Sequence, residues 1–142
     1  MTPTMNPVNE YVQNHEKRFL EELFHLLRIP SVSADPKFSE DVFEAAKYVA
    51  HQLEEAGADE VEVCPTNGYP VVFGQKIVDP KLPTVVVYGH YDVQPADPYD
   101  LWKTPPFEPT VKDDNIFARG ACDDKGQMFM HIKAFELMNR TH

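Results

Sequence analysis

The sequence predicts an α/β fold: a layered α/β/α domain built on a mixed, largely buried sheet. Three observations carry that expectation. Two long stretches with apolar residues at helical spacing open the chain, short β-branched runs follow, and a glycine-flanked acidic turn leads into a last helical stretch. With 142 residues, 42% of them hydrophobic and 25% charged, the chain is long enough for one domain with a core and short for two.

The first helix is expected from about Asn9 to Arg28. Val12, Phe19, Leu20, Leu23, Leu26 and Leu27 form its apolar stripe, with Glu16, Lys17, Glu21 and Glu22 on the other side. Pro30 ends it, because the residue before a proline is driven out of the helical region. A second helix is expected to start at Ser39 as N-cap, with Glu40 and Asp41 favoured by the dipole of its first turn. Its inward residues are Val42, Ala45, Ala46, Val49, Leu53 and Ala56, and Gly57 is its terminator. The period then changes to two. Val61 and Val63 alternate with Glu60 and Glu62 as in a half-exposed strand, while Val71–Phe73 and Val85–Tyr88 read as strands covered on both faces. Seven of the thirteen prolines fall between Pro80 and Pro109, so that stretch reads as ordered loop around one strand. Thr110 to Ala118 reads as a hairpin turning at Asp113-Asp114-Asn115. The last helix runs from Asp124, its expected cap, towards Met138, with Met128, Ile132 and Phe135 inward. It gives out at Asn139-Arg140-Thr141-His142, where a doubly wound domain is expected to continue into further sheet.

A net charge of −10 and a pI near 4.9 argue against a nucleic-acid partner, since phosphate binding needs a basic footprint. Residues 1–9 show neither the basic nor the apolar region of a secretory signal, and no apolar run reaches the length of a membrane span. Cys64 and Cys122 are too few for a disulfide scaffold and are not spaced as a zinc knuckle, so a reducing cytoplasm is expected.

Two segments hold residues suited to chemistry. In Tyr88-Gly-His-Tyr-Asp-Val-Gln-Pro95, His90 falls at the carboxyl end of a predicted strand, where open α/β sheets place their ligands. Residues two apart on an extended chain point to the same side, so Asp92 is placed to accept one ring N–H of His90 and leave the other nitrogen for a metal. A histidine closing a turn beside an aspartate cap explains the same short pattern. In Arg119-Gly-Ala-Cys-Asp-Asp-Lys-Gly126, adjacent carboxylates raise local negative charge, which is costly without a cation. Either Lys125 and Arg119 supply that cation or a metal does. His90 and Asp123 together are fewer than the three or four protein ligands zinc takes, so these residues offer half a site. His131, His15, His25 and His51 read as surface histidines, Cys122 as a small buried apolar residue, and Trp102 and Phe107 as loop packing.

The run Val85-Val-Val-Tyr-Gly-His-Tyr-Asp-Val-Gln-Pro-Ala96, then Trp102-Lys-Thr-Pro-Pro-Phe-Glu-Pro109, then Arg119-Gly-Ala-Cys-Asp-Asp-Lys-Gly-Gln127, resembles the carnosinase-like dipeptidases. They belong to the di-zinc metallopeptidase family that includes aminoacylases, glutamate carboxypeptidases and succinyl-diaminopimelate desuccinylases. Leu27-Arg-Ile-Pro-Ser-Val-Ser33 also resembles that family, and the likeness runs from about residue 10 onward. Phe117-Ala118 replaces the Tyr-Gly more often seen before Arg-Gly. The resemblance implies that His90 ligates one Zn2+ ion, that the catalytic Asp92 orients it, and that Asp123 bridges two such ions, with Mn2+ or Co2+ as alternatives. It implies hydrolysis of dipeptides or short peptides by a metal-activated water, or deacylation of N-acyl amino acids by the same chemistry. The chain then corresponds to the amino-terminal part of the catalytic domain. The general base, the other ligands and a lid or dimerisation domain are expected downstream, in a full-length homodimer. A non-catalytic α/β module with a surface His-Asp turn is the alternative of another class, excluded by a stoichiometric metal that is lost on His90→Ala.

Overall fold

The computed structural model of the chain describes residues 6–141; residues 1–5, part of the stretch read as lacking a secretory signal, lie outside the described residues. The first helix, α1, spans Pro7–Arg28. Proline suits its first turn, where the missing N–H has no helical partner, and the Asn6 side chain accepts a hydrogen bond from Val8 N–H. The apolar stripe is buried only at its C-terminal end. Leu26 and Leu27 are inaccessible to solvent, whereas Val12 and Leu20 stay exposed.

The second helix, α2, spans Ser39–Glu55. Ser39 is not its N-cap. A 3-10 turn over Pro36–Phe38, capped by the Asp35 side chain, feeds the chain straight into the helix and leaves Ser39 inside it. Gly57 follows at φ +99°, the terminator expected. Val42, Ala45, Ala46, Val49 and Ala56 are buried, and Leu53 packs against them.

Strands β1 (Glu60–Cys64) and β2 (Val71–Gln75) pair antiparallel, with Glu60 opposite Gln75 and Cys64 opposite Val71. One face of this ribbon lies on α2; the other is open, so Val71 and Phe73 are exposed rather than covered on both faces. β3 (Thr110–Lys112) and β4 (Asn115–Phe117) form the expected hairpin, with Asp113 and Asp114 both at positive φ, as a two-residue turn of this hand requires.

The α/β class stands, but the described residues form two separate two-stranded antiparallel sheets and not one buried mixed sheet. Val85–Tyr88 is not a buried strand. It forms no ladder, and Val85 and Val86 are 84% and 88% exposed, because no neighbouring strand among the described residues runs beside it. His90 therefore follows an unpaired segment.

The last helix, α3, spans Lys125–Thr141 and packs on α1 and α2. Met128, Phe129 and Ile132 join Leu26, Ile29, Ala45, Val49 and Ala56 in the core. Lys133 and Glu136 are buried as well. They meet a polar seam on α1, where Glu136 accepts from Tyr11 (2.9 Å), Lys133 (2.9 Å) and Arg18. Lys133 also donates to Gln52 (2.7 Å) and pairs with Glu22 (2.5 Å). Glu22 thus faces α3 rather than the outer side. Burial alone would raise the Glu136 carboxyl, yet the Arg18, Lys133 and Tyr11 donors outweigh it and bring it down to about 2.

Candidate metal centre

Two loops converge above the core. The first holds residues 89–93. Gly89 is a glycine of necessity: a Cβ there would stand 2.9 Å from Met128 Cβ and Cγ on α3. That close approach lets His90 N–H donate to Asp124 Oδ2 at 2.9 Å. The second loop is the turn 119–124 leading into α3, whose Asp123–Asp124 peptide is cis.

Asp92 lies behind the imidazole. His90 Nδ1 faces the Asp92 backbone carbonyl and Asp92 Oδ1, each at 3.1 Å. Both are acceptors, so Nδ1 carries the proton and Nε2 presents its lone pair. On the far side Nε2 stands 3.2 Å from Asp123 Oδ1. A ring lone pair and a carboxylate oxygen repel unless a second proton or a cation lies between them. Burial pulls the His90 pKa down, but the Asp92 carbonyl and carboxylate, with Asp124 and Asp123, outweigh it and hold the ring above its ordinary value.

The basic neighbours do not neutralise the acid pair. Lys125 is fully buried and turned away, its Nζ donating to the carbonyls of Leu26 (2.9 Å) and Ile29 (2.6 Å) at the end of α1. Burial drives it down to about 7 despite the opposing effect of Asp41 and Asp92. Arg119 lies over the Trp102 ring, 5.3 Å from its centroid. Among the described residues the one cationic partner of either carboxylate is His90 itself. Of the two sources of positive charge left open by the sequence, a salt bridge from Lys125 or Arg119 is absent from this structure.

The donor types and spacing fit a metal. Ligands at about 2.0–2.1 Å from a tetrahedral zinc stand about 3.3 Å apart, close to the observed 3.2 Å. Asp123 is 82% exposed, so its carboxylate can take further partners. Yet no group of three or more His, Cys, Asp or Glu is gathered to hold a metal among the described residues.

Other expectations shift. Asp124 does not cap α3 with its side chain; Oδ2 holds the His90 backbone, while its carbonyl accepts from Met128 N–H. Cys122 is exposed, not buried, because the turn points it outward; it and Cys64 are free thiols. His131, His25 and His51 are exposed, whereas His15 is half-buried and stacks on Tyr11 at 4.0 Å. Trp102 packs in the proline-rich loop, its indole N–H donating to Ala96 O (2.8 Å). Two serines went unassigned in the sequence. Ser31 Oγ donates to Tyr91 O (2.6 Å), and Ser33 Oγ to Asp92 Oδ2 (2.5 Å). Their spacing of two just after Pro30 was the available signal, since it puts both hydroxyls on one side of an extended chain.

Residues 86–142, which contain both loops, match peptidase family M20/M25/M40. The chain is 35% identical over 96% of its length to the Cys-Gly metallodipeptidase dug1 of Schizosaccharomyces pombe, and 33% identical over 92% to the human Beta-Ala-His dipeptidase. This chain is a relative of the M20 metallodipeptidases. Solved structures agree. The dipeptidase Dug1p of Saccharomyces cerevisiae superposes at a TM-score of 0.85 with 28% identity over 99% of the chain, and human carnosine dipeptidase 1 at 0.83 with 32% identity over 92%. The M20 relative described here spans about a third of their length, 31% of dug1 and 28% of the human enzyme. The first of these relatives is by name a metallodipeptidase. No helix among the described residues is long and apolar enough to cross a membrane.

Proposed function

We propose that this chain supplies part of the metal centre of a hydrolase that cleaves dipeptides or short peptides. In this reading His90 ligates one zinc ion, Asp123 is shared between two, and Asp92 orients the imidazole. The observation that supports it is the approach of His90 Nε2 to Asp123 Oδ1 at 3.2 Å, beside an acid pair that no lysine or arginine neutralises.

Held by His90 and Asp123, a divalent metal would supply Lewis-acid chemistry, acidifying a water and polarising a scissile carbonyl. This chain's own residues do the holding. Asp92 accepts a hydrogen bond from Nδ1–H, which fixes the tautomer and leaves the Nε2 lone pair for a metal. Asp124 pins the His90 backbone, and the exposed Asp123 carboxylate offers its oxygens to the open side. Residues 1–142 then correspond to the amino-terminal part of a catalytic domain. The general base, the remaining ligands and a dimerisation domain come from outside them, in the cytoplasm. The dipeptide class is taken from the activities for which the relatives are named.

Zinc binding by the purified chain, measured by calorimetry, tests the reading. Binding that disappears in both His90→Ala and Asp123→Ala is the expected result, and binding that survives both sinks the assignment. The chain alone is expected to have little or no peptidase activity; chelator-sensitive dipeptide hydrolysis by it would overturn the placement of the base elsewhere.

A further inference from the structure

Asp92 has two carboxylate oxygens, and only one of them faces His90. The other accepts a 2.5 Å hydrogen bond from the Ser33 hydroxyl. An aspartate held at one oxygen can rotate about its last torsion; held at both, it cannot turn without breaking a charge-assisted bond.

The backbone under Ser33 is itself fixed. Val32 is buried and forms a parallel bridge with the buried Val93. Val93 N–H donates to Ser31 O (2.9 Å), and the fully buried Ser31 hydroxyl returns a bond to Tyr91 O (2.6 Å). Residues 31–33 and 91–93 thus lie side by side, bonded through backbone and side chains. The same stretch of chain is tied to the second loop, because Lys125 Nζ donates to Ile29 O, four residues before Ser33. One short segment leaving α1 therefore touches both halves of the candidate centre.

We propose that Ser33 is a positioning residue. Its hydroxyl locks the Asp92 carboxylate so that the opposite oxygen fixes the His90 ring and aims Nε2 at Asp123. That Nε2 is aimed at a metal rests on the function proposed above; that Ser33 immobilises the ring does not.

The test uses the full chain with 13C-labelled histidine rings, free of metal, as wild type, Ser33→Ala, Ser33→Thr, Asp92→Ala and the Ser33→Ala/Asp92→Ala pair. The readout is the order parameter of the His90 ring, on a scale where rigid backbone lies near about 0.85 and flexible segments below about 0.6. Wild type and Ser33→Thr are expected to be alike, since threonine keeps the hydroxyl. Ser33→Ala is expected to drop towards the Asp92→Ala value, and the pair to fall no further than Asp92→Ala alone. The His15 ring, stacked on Tyr11 at the far end of α1, serves as control and stays unchanged. An unchanged His90 ring in Ser33→Ala overturns the proposal, as does an equal loosening of His15, which would show general destabilisation.

Zinc titration of the same samples separates the two readings. If zinc binds and depends on His90, Ser33→Ala is expected to weaken it about 3- to 10-fold, at or below the range for groups that orient a metal ligand, with recovery in Ser33→Thr. Full zinc affinity in Ser33→Ala, against loss in His90→Ala, refutes the role of Ser33 and spares the metal. Zinc binding indifferent to His90, with the ring still loosened by Ser33→Ala, refutes the metal and spares the role of Ser33.

Discussion

Replacing Glu136 by glutamine tests the polar seam between α1 and α3. The carboxylate is 3% exposed and accepts from Tyr11, Arg18 and Lys133. These donors outweigh burial and lower its pKa from an ordinary 4.5 to about 2. Each pKa unit is worth about 1.4 kcal/mol, which makes the ionised group worth about 3 kcal/mol. Arg18 is partly exposed, so solvent screens its share and about 2–3 kcal/mol is the better figure. The sign follows from the direction of the shift. A depressed folded-state pKa gives stability that is whole above the unfolded value of about 4.5 and is lost as pH falls through about 2. Urea denaturation at pH 7 is expected to show Glu136→Gln less stable by that amount, and the gap is expected to shrink below about 1 kcal/mol by pH 2. A loss under about 1 kcal/mol at pH 7, or a gap as wide at pH 2, would refute the assigned charge network.

Three more variants probe the turn into α3 and the unpaired run Val85–Tyr88. Gly126→Ala places a methyl 2.1 Å from the Ala121 carbonyl oxygen, so the turn must open; thermal denaturation is expected to show a loss of at least about 2 kcal/mol, and an unchanged melting point contradicts the geometry. Lys125→Met leaves the Leu26 and Ile29 carbonyls without their donor. At about 1–3 kcal/mol per orphaned group, partly offset by relief from burying an ammonium, a net loss of about 2 kcal/mol is expected in urea; equal or greater stability speaks against the Lys125 bonds to the end of α1 being stabilising. Val85→Thr combined with Val86→Lys changes side chains that are almost wholly in solvent. It is expected to shift stability by less than about 0.5 kcal/mol while reducing concentration-dependent light scattering; a large destabilisation would mean that this run packs against something.

What was legible in the sequence is what local chemistry decides. The α2 stripe from Val42 to Ala56, the Gly57 stop and the Asp113-Asp114 turn depend on neighbours a few residues away, and each was found where expected. Ser39 was misjudged because Asp35 and Pro36 nucleate a turn one step earlier, a competition between two good caps that spacing does not settle. Val85–Tyr88 was misjudged for a different reason. Its β-branched run announces a preference for burial, but burial of a strand needs lateral partners, and no strand among the described residues runs beside it. At the candidate centre, the His90–Asp92 relation follows from alternation alone. The approach of His90 to Asp123 does not, since it spans a proline-rich loop and depends on Gly89 fitting against Met128. The fate of Lys125 was least readable: only the fold reveals that it turns away from the acids and closes the end of α1.

The bare run Val85–Tyr88 has a mechanical consequence for the imidazole two residues beyond it. From one side the ring's loop is anchored by Val93 and by Asp124, but from the other it hangs on a tether whose amides and carbonyls are bonded to no ladder. A strand annealed alongside that tether would stiffen it and shorten the excursions of His90 without touching the histidine, so tension applied to those valines reaches the imidazole through backbone alone.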